Sequence, residues 1–324
     1  MTAPVISLSP AEYQRHLIHT QDRTWAETNC YVDVWIELLH AWGFEPLAAM
    51  PFTIGIDFEG DQWTFFKFSL GDLRDLYGLD VQELAIWQPL AGHVEEQIRR
   101  GRPVLVELDS YYLPDTAGTA YRIQHQKSTV AVVAIDVPER RLGYFHGQGY
   151  YELAGDDFTN VFRMTDLPES THLPPYVEFV KRRSGKQLTG TALVEASVGI
   201  LRRQLQALPA FNPFVAFKSP FAADLDWLVD RPIGDFHAYS FATLRQFGSC
   251  YELAATYLKW LQARDVTGLE APVAGLTTLS TGAKSLQFNL ARAVARKKPL
   301  NLSVIDEMAA EWDSTMTALK ARLL

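Results

Sequence analysis

Ala26-Glu27-Thr28-Asn29-Cys30-Tyr31-Val32-Asp33-Val34-Trp35 is where a polar loop turns into an amphipathic helix, with a cysteine at the junction. From Tyr31 to Trp42 the apolar residues Val34, Trp35, Leu38, Leu39 and Trp42 fall on one helical face. Gly43 and Pro46 predict its end. A thiol that opens a helix faces the positive end of the dipole and unpaired backbone N–H groups, and both favour thiolate over thiol. Well downstream, His125 stands just before the apolar strand Thr129-Val130-Ala131-Val132-Val133-Ala134-Ile135. A cysteine opening a helix and a histidine entering a strand are the two halves of a nucleophile–base pair. The competing reading of Cys30 is a small buried apolar residue, and the local sequence leaves both open.

Outward from that pair, the first half mixes helix and strand. Thr64 to Phe68 predicts a short strand, Leu70 to Tyr77 a helix ended by Gly78, and Leu90 to Arg100 an amphipathic helix capped by Gly101. Pro103 to Leu108 predicts a buried strand that ends at Asp109. Asp136 to Arg141 reads as a hairpin turn, Leu142 to His146 as the returning strand, and Tyr150 to Leu153 as a further strand. Leu167-Pro168 through Pro174-Pro175 predicts a linker. Beyond it the periodicity is helical, at Ala192–Ala207, Cys250–Gln262, Lys284–Lys297 and Ile305–Leu323. The expected organisation is an α+β domain over 1–170 and a mainly helical domain over 171–324.

Composition narrows the class. The chain has 324 residues, enough for two domains, with 48% hydrophobic and 21% charged residues, which are globular values. A net charge of −8 argues against a general nucleic-acid binder. Two cysteines, Cys30 and Cys250, make no disulfide framework and suggest a reducing compartment. The opening Met1-Thr2-Ala3-Pro4-Val5-Ile6-Ser7 lacks the basic and apolar regions of a signal peptide, and no apolar run approaches the ~20 residues that span a bilayer. The expectation is a cytoplasmic protein without a membrane segment.

Cys30 is the leading nucleophile candidate, and His125 is the base best placed by sequence order. Asp109, ending a buried strand, is the candidate that holds the imidazole, and His146 at another strand end is a second candidate base. Asn29 and the backbone N–H of Cys30 are oxyanion candidates. Asp57, Glu59 and Asp61 lack the later glutamate of a calcium loop, so no metal is expected. Cys250 opens a predicted helix but has no histidine after it, since His237 is the last, and it reads as structural. No phosphate loop, dinucleotide fingerprint or paired Cys-x-x-Cys motif is present.

Asn29-Cys30-Tyr31-Val32-Asp33-Val34-Trp35-Ile36-Glu37-Leu38-Leu39-His40 and Asp57-Phe58-Glu59-Gly60-Asp61-Gln62-Trp63-Thr64-Phe65-Phe66-Lys67-Phe68 resemble the DUF1839 family. So do Asp109-Ser110-Tyr111-Tyr112-Leu113-Pro114-Asp115-Thr116 and Leu142-Gly143-Tyr144-Phe145-His146. That family is similar to acyltransferases of the butirosin biosynthesis protein H type, which have a papain-like N-terminal domain. The resemblance implies a papain-like cysteine-protease-type N-terminal domain with a helical C-terminal domain. It also implies transfer of an aminoacyl group from a carrier-protein phosphopantetheine thioester to an amine. Its implied partners are an aminoacyl carrier protein and an amino acid:carrier protein ligase, and no cofactor of its own is needed. Cys30 matches the nucleophile position of those enzymes, and Asp109 with Tyr111-Tyr112-Leu113-Pro114 matches their acid segment. Their histidine stands six residues ahead of a glycine. With Ala134 taken as that glycine, Ser128 occupies the histidine position and His125 comes three residues early.

The first expectation is therefore a cysteine-dependent aminoacyltransferase. The alternatives are a thioester or amide hydrolase of the same fold and a non-catalytic carrier-binding protein with a degenerate site. An acidic carrier would dock on a basic patch, for which Arg99-Arg100-Gly101-Arg102, Lys181-Arg182-Arg183 and Arg292 through Lys298 are candidates.

Overall fold

The computed structural model describes residues 3–165 and 173–324. The chain begins with α1 (Leu17–Thr20), α2 (Cys30–Ala41) and a 3-10 stretch over Pro46–Gly55. It continues through α3 (Leu70–Tyr77), β1 (Leu79–Glu83), α4 (Leu90–Arg99) and β2 (Val104–Asp109). Short 3-10 turns at Ser110–Tyr112 and Pro114–Thr116 lead toward β3 (Lys127–Asp136), β4 (Arg141–His146), β5 (Gly149–Ala154) and α5 (Asp156–Val161). After β6 (Val177–Arg182) the described chain is helical: α6 (Gly190–Gln206), α7 (Pro213–Leu228), α8 (Ile233–Ala242), α9 (Leu244–Gln262), α10 (Glu270–Arg296) and α11 (Ser303–Leu323). This is an α+β chain, with mixed helix and antiparallel sheet.

The strands form one sheet in the order β1-β6-β2-β3-β4-β5, with every neighbouring pair antiparallel. β3, β4 and β5 are a meander, as their turn residues predict. The β4–β5 turn is two residues long, since His146 pairs with Gly149. Gly147 takes its first position at φ +50°, the left-handed region that glycine enters without strain. The β3–β4 ladder shifts register between Val132 and Ala134, a bulge that leaves Val133 extra.

Each face of the sheet carries a helix. Val104, Val106 and Leu108 of β2 and Val130 and Val132 of β3 pack against Ala91, Val94 and Ile98 of α4. Their alternate neighbours point the other way, and α2 lies against β3 and β4 there. Asn29 starts α2 by accepting the Val32 N–H at 2.9 Å on its side-chain oxygen. Val34, Trp35, Leu38 and Leu39 are fully buried, which ties the start of this helix firmly to the sheet.

Two compact units are formed. One comprises Met1–Gln21, Asn29–Pro46 and Leu73–Gln187, and the other Asp22–Thr28, Leu47–Asp72 and Leu188–Leu324. The second unit has its own aromatic core, in which Trp63 meets Phe214, Phe217 and Phe247 at ring centroid distances of 5.3, 5.4 and 4.5 Å. The cut at 170/171 expected from the sequence falls within 166–172, outside the described residues, as does most of the expected linker.

Several elements differ from expectation. Thr64–Phe68 is not a strand; its aromatics pack on Phe52 (Phe52–Phe68 centroids 5.0 Å apart) and only Phe58 and Trp63 make an isolated bridge. An alternating aromatic run satisfies a packed loop as well as a strand. β6 lies in the stretch expected to be helical, because β1 and β2 leave a ladder position that only this segment fills. Cys250 lies inside α9, six residues from its first residue, rather than at a helix opening.

Candidate functional site

Cys30 is the first residue of α2 and is only partly buried. Its sulfur lies 3.7 Å from Thr129 Oγ1, within reach of a weak S–H···O hydrogen bond. The group facing the thiol is thus a hydroxyl on β3. Cys250 contrasts with it: the side chain is fully buried, its thiol points at the Thr53 carbonyl oxygen at 3.3 Å, and burial pushes its pKa well up. That is an inert thiol.

Asp109 and His125 come together at the end of the same strands. His125 Nδ1 is 2.6 Å from Asp109 Oδ2, and the imidazole stacks on Tyr111 with centroids 4.3 Å apart. The other carboxylate oxygen accepts the backbone N–H groups of Tyr111 at 3.0 Å and Gln126 at 3.3 Å. Asp109 therefore fixes both its own turn and the loop that carries His125. With Nδ1 on the carboxylate, Nε2 is the nitrogen left for proton exchange.

Register places Asp109 on the thiol's side of the sheet. Residues directly opposite in an antiparallel ladder share a face, and Glu107 is opposite Thr129 and Asp109 opposite Lys127. Thr129 faces Cys30, so Glu107, Asp109 and Lys127 face the same way. Lys127 Nζ pairs with Glu107 Oε1 at 2.7 Å along that face. Deeper in, the buried Glu178 of β6 accepts the hydroxyls of Tyr31 at 2.9 Å and Tyr176 at 2.7 Å. Burial first, and Glu178 second, push the Tyr31 hydroxyl upward, which keeps it a neutral donor. A cavity of about 400 Å³ opens beside Asp109 and His125; Ile86, Leu90, Tyr112 and Phe162 of the α4-side core and Pro175 wall it, and neither Cys30 nor Thr129 lines it.

The next turns of α2 are held by charge. His19 lies between two buried carboxylates, with Nδ1 on Glu37 and Nε2 3.3 Å from Asp33. Glu37 also accepts the Tyr13 hydroxyl at 2.5 Å and the His16 backbone N–H. Burial opposes a charge on His19, but its hydrogen bonds to Asp33 and Glu37 and their charges outweigh that, so its pKa is raised.

His146 is placed elsewhere. Its Nε2 is 2.6 Å from Ser128 Oγ and its Nδ1 is 2.5 Å from Asp115 Oδ2, while Tyr144 donates to Asp115 Oδ1 at 2.5 Å. Successive strand residues point to opposite faces, so Ser128 and Thr129 carry His146 and Cys30 on opposite sides of β3. The structure thus brings Asp109 and His125 together, with Asp109 on the thiol's face, and sets His146 apart from that face. Asn29 caps α2 through its side-chain oxygen.

Thr129, Glu178 and Asp115 were not singled out by sequence reasoning. Ser128 was noted only as the residue at which the expected resemblance would place a histidine. The hairpin turn alone gave no signal for its contact, since only the bulge at Val133 puts His146 opposite Val130 and so diagonal to Ser128 on one face. Each basic patch is partly engaged in ion pairs. Arg99 and Arg100 both pair with Glu96, Arg183 with Asp80, and Lys297 with Asp230. Among the described residues no group of three or more His, Cys, Asp or Glu side chains is disposed to hold a metal ion, and no helix is long and apolar enough to cross a membrane.

Curated proteins give no match to the chain. A family model for the DUF1839 N-terminal domain matches residues 14–182, and one for the DUF1839 C-terminal domain matches residues 190–321. The chain belongs to the DUF1839 family.

Proposed function

We propose that this chain is a cysteine-dependent aminoacyltransferase with a papain-like N-terminal domain, fed by a carrier protein. The observation that carries this reading is the thiol of Cys30 at the first residue of α2, on the same sheet face as Asp109, the carboxylate that holds His125. In the first step the Cys30 sulfur attacks the thioester carbonyl, the bond to the phosphopantetheine sulfur breaks, and that thiol leaves with a proton. One thioester replaces another, so the exchange is near balance and needs no cofactor. In the second step an amine attacks the Cys30 acyl-enzyme, and its proton passes through His125 Nε2 while the Cys30 thiol is restored. Asp109 holds the imidazole with Nδ1–H toward the carboxylate. Two free cysteines suit a reducing, cytoplasmic setting.

Thr129 favours a second reading. A hydroxyl, rather than an imidazole, faces the sulfur at 3.7 Å, and a fold with that replacement would bind a carrier protein without acylation. Intact mass after mixing with an aminoacyl-loaded carrier separates the two. Acyl transfer predicts an aminoacyl adduct on wild type and none on Cys30→Ser. Carrier binding without an adduct on either protein supports the second reading, and an adduct that water alone discharges supports a hydrolase.

A further inference from the structure

We propose that Ser128, His146 and Asp115 form a second nucleophilic centre, separate from the thiol, that accepts a small uncharged acyl group from an activated ester. A working serine centre needs a nucleophile bonded to a base and a base bonded to an orienting acid. Both links are present: Ser128 Oγ to His146 Nε2 at 2.6 Å, and His146 Nδ1 to Asp115 Oδ2 at 2.5 Å. The parts come from three places in the chain, namely the start of β3, the end of β4 and the 3-10 turn Pro114–Thr116.

The surroundings fix the protonation pattern. Tyr144 donates to the free oxygen of Asp115, and burial first, then the Asp115 charge, push that phenol upward so that it remains a donor. Asp115 is nearly enclosed, so its carboxylate is best satisfied with an N–H from His146 Nδ1. Nε2 is then the acceptor for the Ser128 hydroxyl proton. Ser128 is itself only partly buried, and its cross-strand partner Leu108 belongs to the apolar face. An apolar neighbour and an acceptor imidazole suit an uncharged carbonyl better than a phosphoryl group.

The reaction balances without a cofactor. Ser128 Oγ forms a bond to the acyl carbon while its proton moves to His146 Nε2. The bond to the leaving alcohol breaks, and the alcohol takes that proton. Water then attacks the acyl-serine, gives a proton to His146, and releases the acid as the proton returns to Ser128 Oγ.

The test uses p-nitrophenyl acetate on the full chain with Cys30→Ser, which removes the competing thiol. The expected result is an acetyl adduct mapped to Ser128, absent when Ser128→Ala is added. His146→Gln should slow acylation on the order of 10²-fold, the usual contribution of a general base. Should Ser128→Ala fail to fold, Ser128→Cys takes its place and should turn the adduct at that position into one labile to neutral hydroxylamine. Absence of an adduct at Ser128 in folded Cys30→Ser protein, or acylation unaffected by His146→Gln, would overturn the proposal and leave the cluster as a brace between β4 and the Pro114–Thr116 turn.

Discussion

On one face of β3, the Thr129 hydroxyl lies 3.7 Å from the Cys30 sulfur; on the other, Ser128 Oγ lies 2.6 Å from His146 Nε2. The two residues are adjacent in sequence, and the strand's alternation sends them to different chemistry. The hydroxyl has a complete chain of partners through His146 to Asp115. The thiol has a helix start and, on its face, the Asp109 carboxylate that holds His125, while a hydroxyl and not an imidazole lies against the sulfur. A thiol is intrinsically nucleophilic and needs less assistance, whereas a serine hydroxyl is inert until a base is bonded to it. A full hydrogen-bond chain and a reactive atom are therefore separate criteria, and this molecule meets them on opposite sides of one strand.

The largest expected effect separates the faces outright. Cys30→Ser should abolish aminoacyl adduct formation from a loaded carrier, while Ser128→Ala should leave it intact; intact mass reads both. The reverse pattern would exchange the roles of the two faces. Next, His125→Ala should slow transfer to the amine by about 10²–10⁴-fold, as expected for loss of a general base. His146→Gln should leave that rate near wild type. Equal losses in single-turnover assays would mean that the faces are coupled.

The thiols give a second contrast. Native iodoacetamide should label Cys30 and spare Cys250, which is fully buried and whose pKa burial pushes well up. Peptide mapping before and after denaturation checks this, and native labelling of Cys250 would contradict the placement of α9.

His19 tests how the thiol's helix is held. Its pKa is raised in the folded chain, so its contribution to stability is fully present below the unfolded value of about 6.5 and is lost as pH rises through the folded pKa. Chemical denaturation should show stability falling on that alkaline side. His19→Ala should remove this dependence and destabilise the chain by about 3–5 kcal/mol, as when one partner of a buried ion pair is deleted. The smallest effect belongs to Thr129→Val, which keeps the packing and removes a weak sulfur contact. It should change stability by less than about 1.5 kcal/mol. A larger change would make the Thr129 hydroxyl a structural anchor of α2.

Much of the scaffold was legible in the chain. Asn29 before Cys30 is an N-cap signal, and the apolar spacing from Val34 to Leu39 gave the helix that buries those residues. The β3–β4–β5 meander was legible because Asp136–Arg141 is rich in turn residues and the flanking segments are apolar. Asp109 was named as the group to hold an imidazole from its strand end and from the resemblance, and it is hydrogen-bonded to His125. β6 was not legible, because its place between β1 and β2 is fixed by hydrogen bonds to strands distant in sequence. The serine cluster was hidden for a related reason. A bulge at Val133 sets the β3–β4 register, and Asp115 reaches His146 only through the turns that follow β2.

The most direct test of the account is the site of acylation when wild-type protein meets an aminoacyl-loaded carrier protein and is digested under mildly acidic conditions that preserve thioesters. The account predicts the aminoacyl group on the peptide containing Cys30, discharged by an added amine. An adduct on the peptide containing Ser128, or no adduct while the carrier remains bound, would contradict it.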